Sequence, residues 1–195
     1  MILYLHGFNS APQSGKAVQL HQALQRCGRG DEFVCPALHH RPAQAIAQVE
    51  VLMAAAGDEP ITLVGSSLGG FYATWLAERH GLSAVLLNPA VRPVGTLEQY
   101  LGWQTNLYTG ERYCLTETHL AEMRSLVTAP GARGRYLLIV ETGDEVLDYR
   151  VALEHYAACG TSAQTIVVEG GNHALASFPT HVPRILAFAG IMAAG

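Results

Sequence analysis

The stretch Gly65-Ser66-Ser67-Leu68-Gly69 sets a serine midway between two glycines, in the pattern G-x-S-x-G. That spacing suits a nucleophilic hydroxyl. Where a strand turns sharply into a helix, the central residue is strained, and a side chain at either flank would collide with neighbouring backbone. A serine hydroxyl is a poor nucleophile alone, so the chemistry also needs a base, an orienting acid and donors for an oxyanion. His173, in Glu169-Gly170-Gly171-Asn172-His173, is the candidate base, and the paired glycines let its loop turn inward. Asp144, just past the turn glycine of Glu141-Thr142-Gly143-Asp144, is the candidate acid. Asp148 is the second choice but is better explained as a helix N-cap, and Glu145 is expected to be solvated. In His6-Gly7-Phe8, Gly7 lets the backbone turn so that the Phe8 N–H joins the Leu68 N–H as an oxyanion-binding pair. His6 is expected to be a structural hydrogen-bonding residue beneath that loop. His39 and His40 are adjacent but lack a third ligand at metal-binding spacing, so they read as loop residues and no metal is expected.

These residues need elements that carry them to one place. Ile2 to Leu5 reads as a buried strand, Phe33 to Leu38 as a second, edge-placed one because Pro36 interrupts it. Further strands are expected at Ile61–Val64, Ala84–Leu87, Tyr136–Val140 and Thr165–Val168. Helices are expected at Lys16–Cys27, Ala43–Ala56, Leu68–His80, Tyr149–Cys159 and Val182–Ala194, the last with Pro183 in its first turn. Strands that are apolar throughout imply a sheet buried on both faces, and alternation with helices makes it parallel with right-handed crossovers. The fold expected is α/β, with about six mostly parallel strands flanked by helices, in a single domain over 1–195. The exception is 92–129, which holds no convincing strand and is too long for a simple connection. It reads as a helical or irregular insertion, either a lid-like binding element or an excursion whose aromatics pack on the core. Phe8, Trp103 and Tyr108 are candidates for lining an apolar acyl site beneath it.

Composition narrows the partners. With 49% hydrophobic and 14% charged residues the chain is globular rather than disordered. A net charge of −4 with scattered basic residues gives no footprint for nucleic acid or an anionic membrane. MILYLHG enters a strand-like run directly, which argues against an ordinary signal peptide, and no stretch approaches a membrane span. Cys27, Cys35, Cys114 and Cys159 form no C-x-x-C pair, so reduced, mostly buried thiols in a cytoplasmic protein are expected.

The order Ser67, Asp144, His173, each after a different strand, is the Ser…Asp…His order of the α/β-hydrolase fold. The chain also resembles the small esterases of the YqiA/YcfP type nearly end to end, through "YLHGFNSAPQSGKA", "LVGSSLGGFYATWLAERHG", "LLNPAVRP", "YLGWQTNLYTGERYCL", "ETGDEVLDYR" and "VVEGGNHAL". The resemblance implies a cytoplasmic esterase without a cofactor, with Ser67, Asp144 and His173 as its triad. Leu175 departs from it, standing where an aromatic residue is expected two places after the histidine. The function expected is hydrolysis of a small acyl ester or thioester through an acyl-enzyme. The alternatives are an acyltransferase or C–C hydrolase with the same triad, or a non-catalytic binding protein on this scaffold.

Overall fold

In the computed structural model, which describes residues 1–191, six strands form one parallel sheet. They are β1 (Ile2–Leu5), β2 (Phe33–Val34), β3 (Thr62–Ser66), β4 (Ser83–Leu87), β7 (Arg135–Glu141) and β8 (Ala163–Val168), in the order β2-β1-β3-β4-β7-β8. β2 is the edge strand expected, but it pairs over only two residues. Beyond Val34 the chain reaches Pro36, which has no N–H to give a ladder.

The inner strands β1, β3, β4 and β7 are buried along nearly all their length because both faces are covered, whereas the edge strand β8 is partly exposed. Leu3 and Leu5 join one core cluster, with Ile46 of α2 (Pro42–Ala55), Leu76 of α3 (Leu68–His80), Leu120 of α5 (Glu117–Ser125) and Tyr156 of α6 (Tyr149–Ala157). Ile2 and Tyr4 join the other, with Leu20 and Leu24 of α1 (Gly15–Arg26) and Phe178 and Ile185 of α7 (Phe178–Phe188). β4 and β7 divide in the same alternating way, since successive side chains of a strand point to opposite faces. Among the described residues no helix is long and apolar enough to cross a membrane.

Three expectations need correction. Segment 92–129 contains strands: after the short α4 (Pro93–Leu97) come β5 (Gly102–Thr105) and β6 (Arg112–Leu115), paired antiparallel, and then α5. Their burial alternates, exposed-buried-exposed-buried along β6, so a search for continuous apolar runs passes over them. Asn106 sets the turn, its Oδ1 accepting the N–H groups of Tyr108 and Thr109. The closing helix starts four residues earlier than expected, at Phe178, with Pro179 in its first turn and Pro183 inside; it ends at Phe188 and Gly190 follows with φ +72°. The part of that expectation covering 192–194 lies outside the described residues. Finally, the four cysteines are free thiols, but only Cys159 is buried, and Cys114 is exposed on the hairpin.

Candidate active site

Ser67 leaves the end of β3 with φ +53° and ψ −119°, a strained conformation for a residue with a side chain. Its amide donates to Leu87 O at 3.1 Å, and its carbonyl accepts from Gly70 at 2.9 Å and Ala90 at 3.0 Å. The flanking glycines are steric necessities. A Cβ on Gly65 would lie 2.7 Å from Gly70 Cα, one on Gly70 would lie 2.6 Å from Pro89 Cβ, and one on Gly69 would overlap the Leu5 carbonyl. The elbow therefore rests directly on the ends of β1 and β4.

His173 and Asp144 meet it from β8 and β7. His173 Nε2 stands 3.0 Å from Ser67 Oγ, and Nδ1 stands 3.0 and 2.9 Å from the two oxygens of Asp144. An ionised carboxylate only accepts, so the proton of the neutral ring sits on Nδ1 and the Nε2 lone pair faces the serine hydroxyl. The Asp144 side chain is 2% exposed. Burial pushes its carboxyl upward. The hydrogen bond from His173 and the amides of Leu147 (2.8 Å) and Val146 (2.9 Å) outweigh that and hold it below the usual carboxylate range. Asp148 caps α6, accepting from Arg150 N at 3.0 Å, and exposed Glu145 accepts the His173 amide at 2.8 Å.

Phe8 and Leu68 both line the cleft at Ser67. Leu68 opens α3, so its N–H has no acceptor within the helix. Gly7 lies against the nucleophile, where a Cβ would come 3.3 Å from Ser67 Cβ. His6, buried beneath, accepts the Leu38 amide on Nε2 at 3.0 Å and places Nδ1 3.0 Å from Gly7 O. Burial pushes its imidazole below the ordinary range, against the pull of the Gly7 carbonyl, so the ring is a neutral brace between this loop and the segment after β2. His40 Nδ1 lies 2.9 Å from His119 Nε2 and the ring stacks on Tyr113; among the described residues no group of three His, Cys, Asp or Glu could hold a metal.

The candidate acyl-site residues separate. Phe8 lines the main cleft, a space of about 530 Å³, and its ring lies 6.1 Å from that of Tyr100. Trp103 does not line it. The two-residue period of β5 turns Gln104 toward the cleft and Trp103 outward, where it is 70% exposed under Arg112. Tyr108 lines a neighbouring chamber instead. The residues that do wall the cleft from 92–129 are Pro93, Thr96, Leu97, Tyr100, Gln104 and Leu107. Leu175, with φ +58°, is buried in the core beside Phe178 and does not line that cleft.

Two residues that sequence reasoning passed over hold the histidine loop. Glu141, fully buried at the end of β7, accepts the amides of Asn172 (2.6 Å), Ser177 (2.7 Å) and Ala176 (3.0 Å). Asn88, after β4, adopts φ +41° and bonds both β7 and that loop. The available signal was positional: each is a polar residue closing an apolar strand at the carboxyl edge.

Six parallel strands, helices on both faces and a strained serine between β3 and α3 define the α/β-hydrolase fold. The mouse alpha/beta hydrolase domain-containing protein 10 superposes with a TM-score of 0.75 at 15% identity, covering 95% of this chain and 89% of that one. Est1E from Butyrivibrio proteoclasticus, in a structure with ferulic acid bound, does so with a TM-score of 0.73 at 13% identity, over 95% and 87%. Residues 1–190 match the family described as "Uncharacterised protein family (UPF0227)", and the chain belongs to it. A UPF0227 protein of Serratia proteamaculans is 27% identical over 193 residues, 96% of this chain and 98% of that one.

Proposed function

We propose that this protein is a serine hydrolase that cleaves carboxylic esters or thioesters through an acyl-enzyme. The observation that carries the reading is the continuous chain Asp144–His173–Ser67, with links of 2.9 and 3.0 Å. In this reading His173 takes the Ser67 proton as Oγ attacks the acyl carbon, and the C=O electron pair moves onto oxygen. The N–H groups of Phe8 and Leu68 hold that oxyanion. Its collapse expels the alcohol or thiol, which takes the proton from His173. Water, deprotonated by the same imidazole, then releases the acid and restores Ser67. Asp144 fixes the tautomer and stabilises the imidazolium. The 92–129 segment supplies the apolar wall for the acyl chain and acts as a lid. The esterases among the structural neighbours support the general class.

The test is a p-nitrophenyl ester series from acetyl to palmitoyl, with wild type, Ser67→Ala and Asp144→Asn. Ser67→Ala should lose about 10⁴- to 10⁶-fold in kcat and Asp144→Asn about 10⁴-fold. A fluorophosphonate probe should label Ser67 in wild type alone. A folded wild type that neither turns over any ester nor takes the probe would sink the proposal.

A further inference from the structure

Two chambers meet beside Ser67. The larger is the cleft of about 530 Å³ walled by the 92–129 segment. The smaller, about 350 Å³, lies toward α1 and α7 and is lined by residues that include Gln19, Tyr108 and Phe178. Gly7, Ser10, Lys16, Ser66 and Ala174 line both, so one substrate can extend into each.

Charge is placed unevenly in this space. Among the described residues no Asp, Glu or Arg lines either chamber, and Lys16 is the one lysine in the sequence. Among the described residues that line the two chambers, its ammonium is therefore the one side chain with a fixed charge. Lys16 is partly buried, and its Nζ donates to Ala174 O at 2.8 Å, leaving two of its three N–H donors. Among the described residues Lys16 forms no salt bridge. Burial lowers the pKa of this ammonium, while the fields of Glu141 and Asp144 oppose the fall. Those carboxylates are already engaged, Glu141 by loop amides and Asp144 by His173. A partly desolvated cation without an ion-pair partner is an expensive feature of a cleft, and an anionic ligand group relieves it.

We propose that Lys16 sets specificity for esters whose alcohol half carries an oxyanion, a carboxylate or a phosphate. The apolar acyl half lies beneath the 92–129 segment, and the anionic alcohol half occupies the smaller chamber with its charge on Lys16. This rests on the ester-hydrolase reading of the site. The reaction itself is unchanged: water adds, the acyl–oxygen bond breaks, and the acid and the anionic alcohol leave.

The experiment compares esters with one acyl group: 4-butyryloxybenzoate, 4-butyryloxyphenyl phosphate and the neutral 4-butyryloxybenzamide. In wild type, kcat/KM for either anion should exceed that for the amide about 10- to 100-fold, the size of a charge-assisted hydrogen bond. Lys16→Met should bring the ratio close to one, and Lys16→Arg should keep most of it. Preference for only one anion assigns the group; equal rates on all three in wild type overturn the proposal. It is also overturned if Lys16→Met lowers all three rates alike, because Lys16 would then act only through Ala174 on the His173 loop. Should that variant fail to fold, cyanate carbamoylation of Lys16 in the folded wild type, located by mass spectrometry, removes the same charge. Calorimetry on Ser67→Ala separates this from the parent reading. Tighter binding of the benzoate than the benzamide, without wild-type turnover, would overturn the hydrolase and leave Lys16 its role. Turnover without any preference would do the reverse.

Discussion

Asn88 holds the backbone of His173. Its Nδ2 donates to the carbonyls of Asn172 at 3.0 Å and His173 at 3.3 Å, while its Oδ1 accepts the Glu141 amide at 2.9 Å. One buried side chain thus ties the ends of β4 and β7 to the loop that presents the imidazole.

Removing that tie should cost turnover rather than binding. Asn88→Ala and Asn88→Gly are both expected to lower kcat about 10- to 100-fold with KM little changed, as misplaced bases do. They should differ in stability. At φ +41° alanine is strained and glycine is not, so the alanine variant should be the less stable by about 1 kcal/mol. Steady-state kinetics and urea unfolding check the two halves. Equal stabilities would remove the backbone argument, and an unchanged kcat would remove the tether.

The elbow holds Ser67 in a strained conformation that the proposed function requires. Ser67→Gly should abolish ester turnover yet raise stability by about 1 kcal/mol or more, because glycine adopts φ +53° freely. A drop in the midpoint of denaturant unfolding would contradict this.

Gly69→Ala should behave oppositely. Its Cβ would overlap the Leu5 carbonyl, which is backbone of β1 and has no rotamer to escape into. We expect a loss of about 3 kcal/mol or more, or insoluble protein. A soluble variant with wild-type Tm would show that β1 and α3 can separate at little cost.

Acid stability should follow Glu141. Burial raises its carboxyl; the Ser177 hydroxyl and the amides of Asn172, Ser177 and Ala176 outweigh this and hold it below the usual range. With the folded value depressed, the stabilisation is fully present above the unfolded value of about 4.3 and is lost as pH falls below it toward the folded value. Glu141→Gln should be less stable at neutral pH, and the gap to wild type should narrow below about pH 4. Urea midpoints measured across that range provide the check; a gap that stayed constant would mean that Glu141 does not titrate with folding.

Leu107 tests the cleft wall. It is 86% exposed yet lines the cleft, so Leu107→Ala should change stability by less than about 0.5 kcal/mol while shifting the preferred acyl length. An unchanged preference across the p-nitrophenyl series would remove this segment from the acyl site.

The sheet was legible in the sequence, as was the order in which Ser67, Asp144 and His173 follow their strands. Continuous apolar runs as short as Ile2–Leu5 and Tyr136–Val140, bounded by turn residues, read as strands covered on both faces, and alternation with helices makes them parallel. Ser67, Asp144 and His173 could be read because each sits just after such a run, beside glycines, where local sterics alone require a turn. The hairpin at 102–115 was not legible, because its strands are short and their period-two pattern carries few apolar residues. Trp103 was assigned inward on its residue type, whereas its face depends on strand register, which only pairing with β6 settles. Glu141, Asn88 and Lys16 were hidden for a related reason. Their partners lie 31 or more residues away in the chain, so nothing in the local pattern marks them. Polar groups of this kind acquire a role only when folding excludes water and leaves them one another as partners.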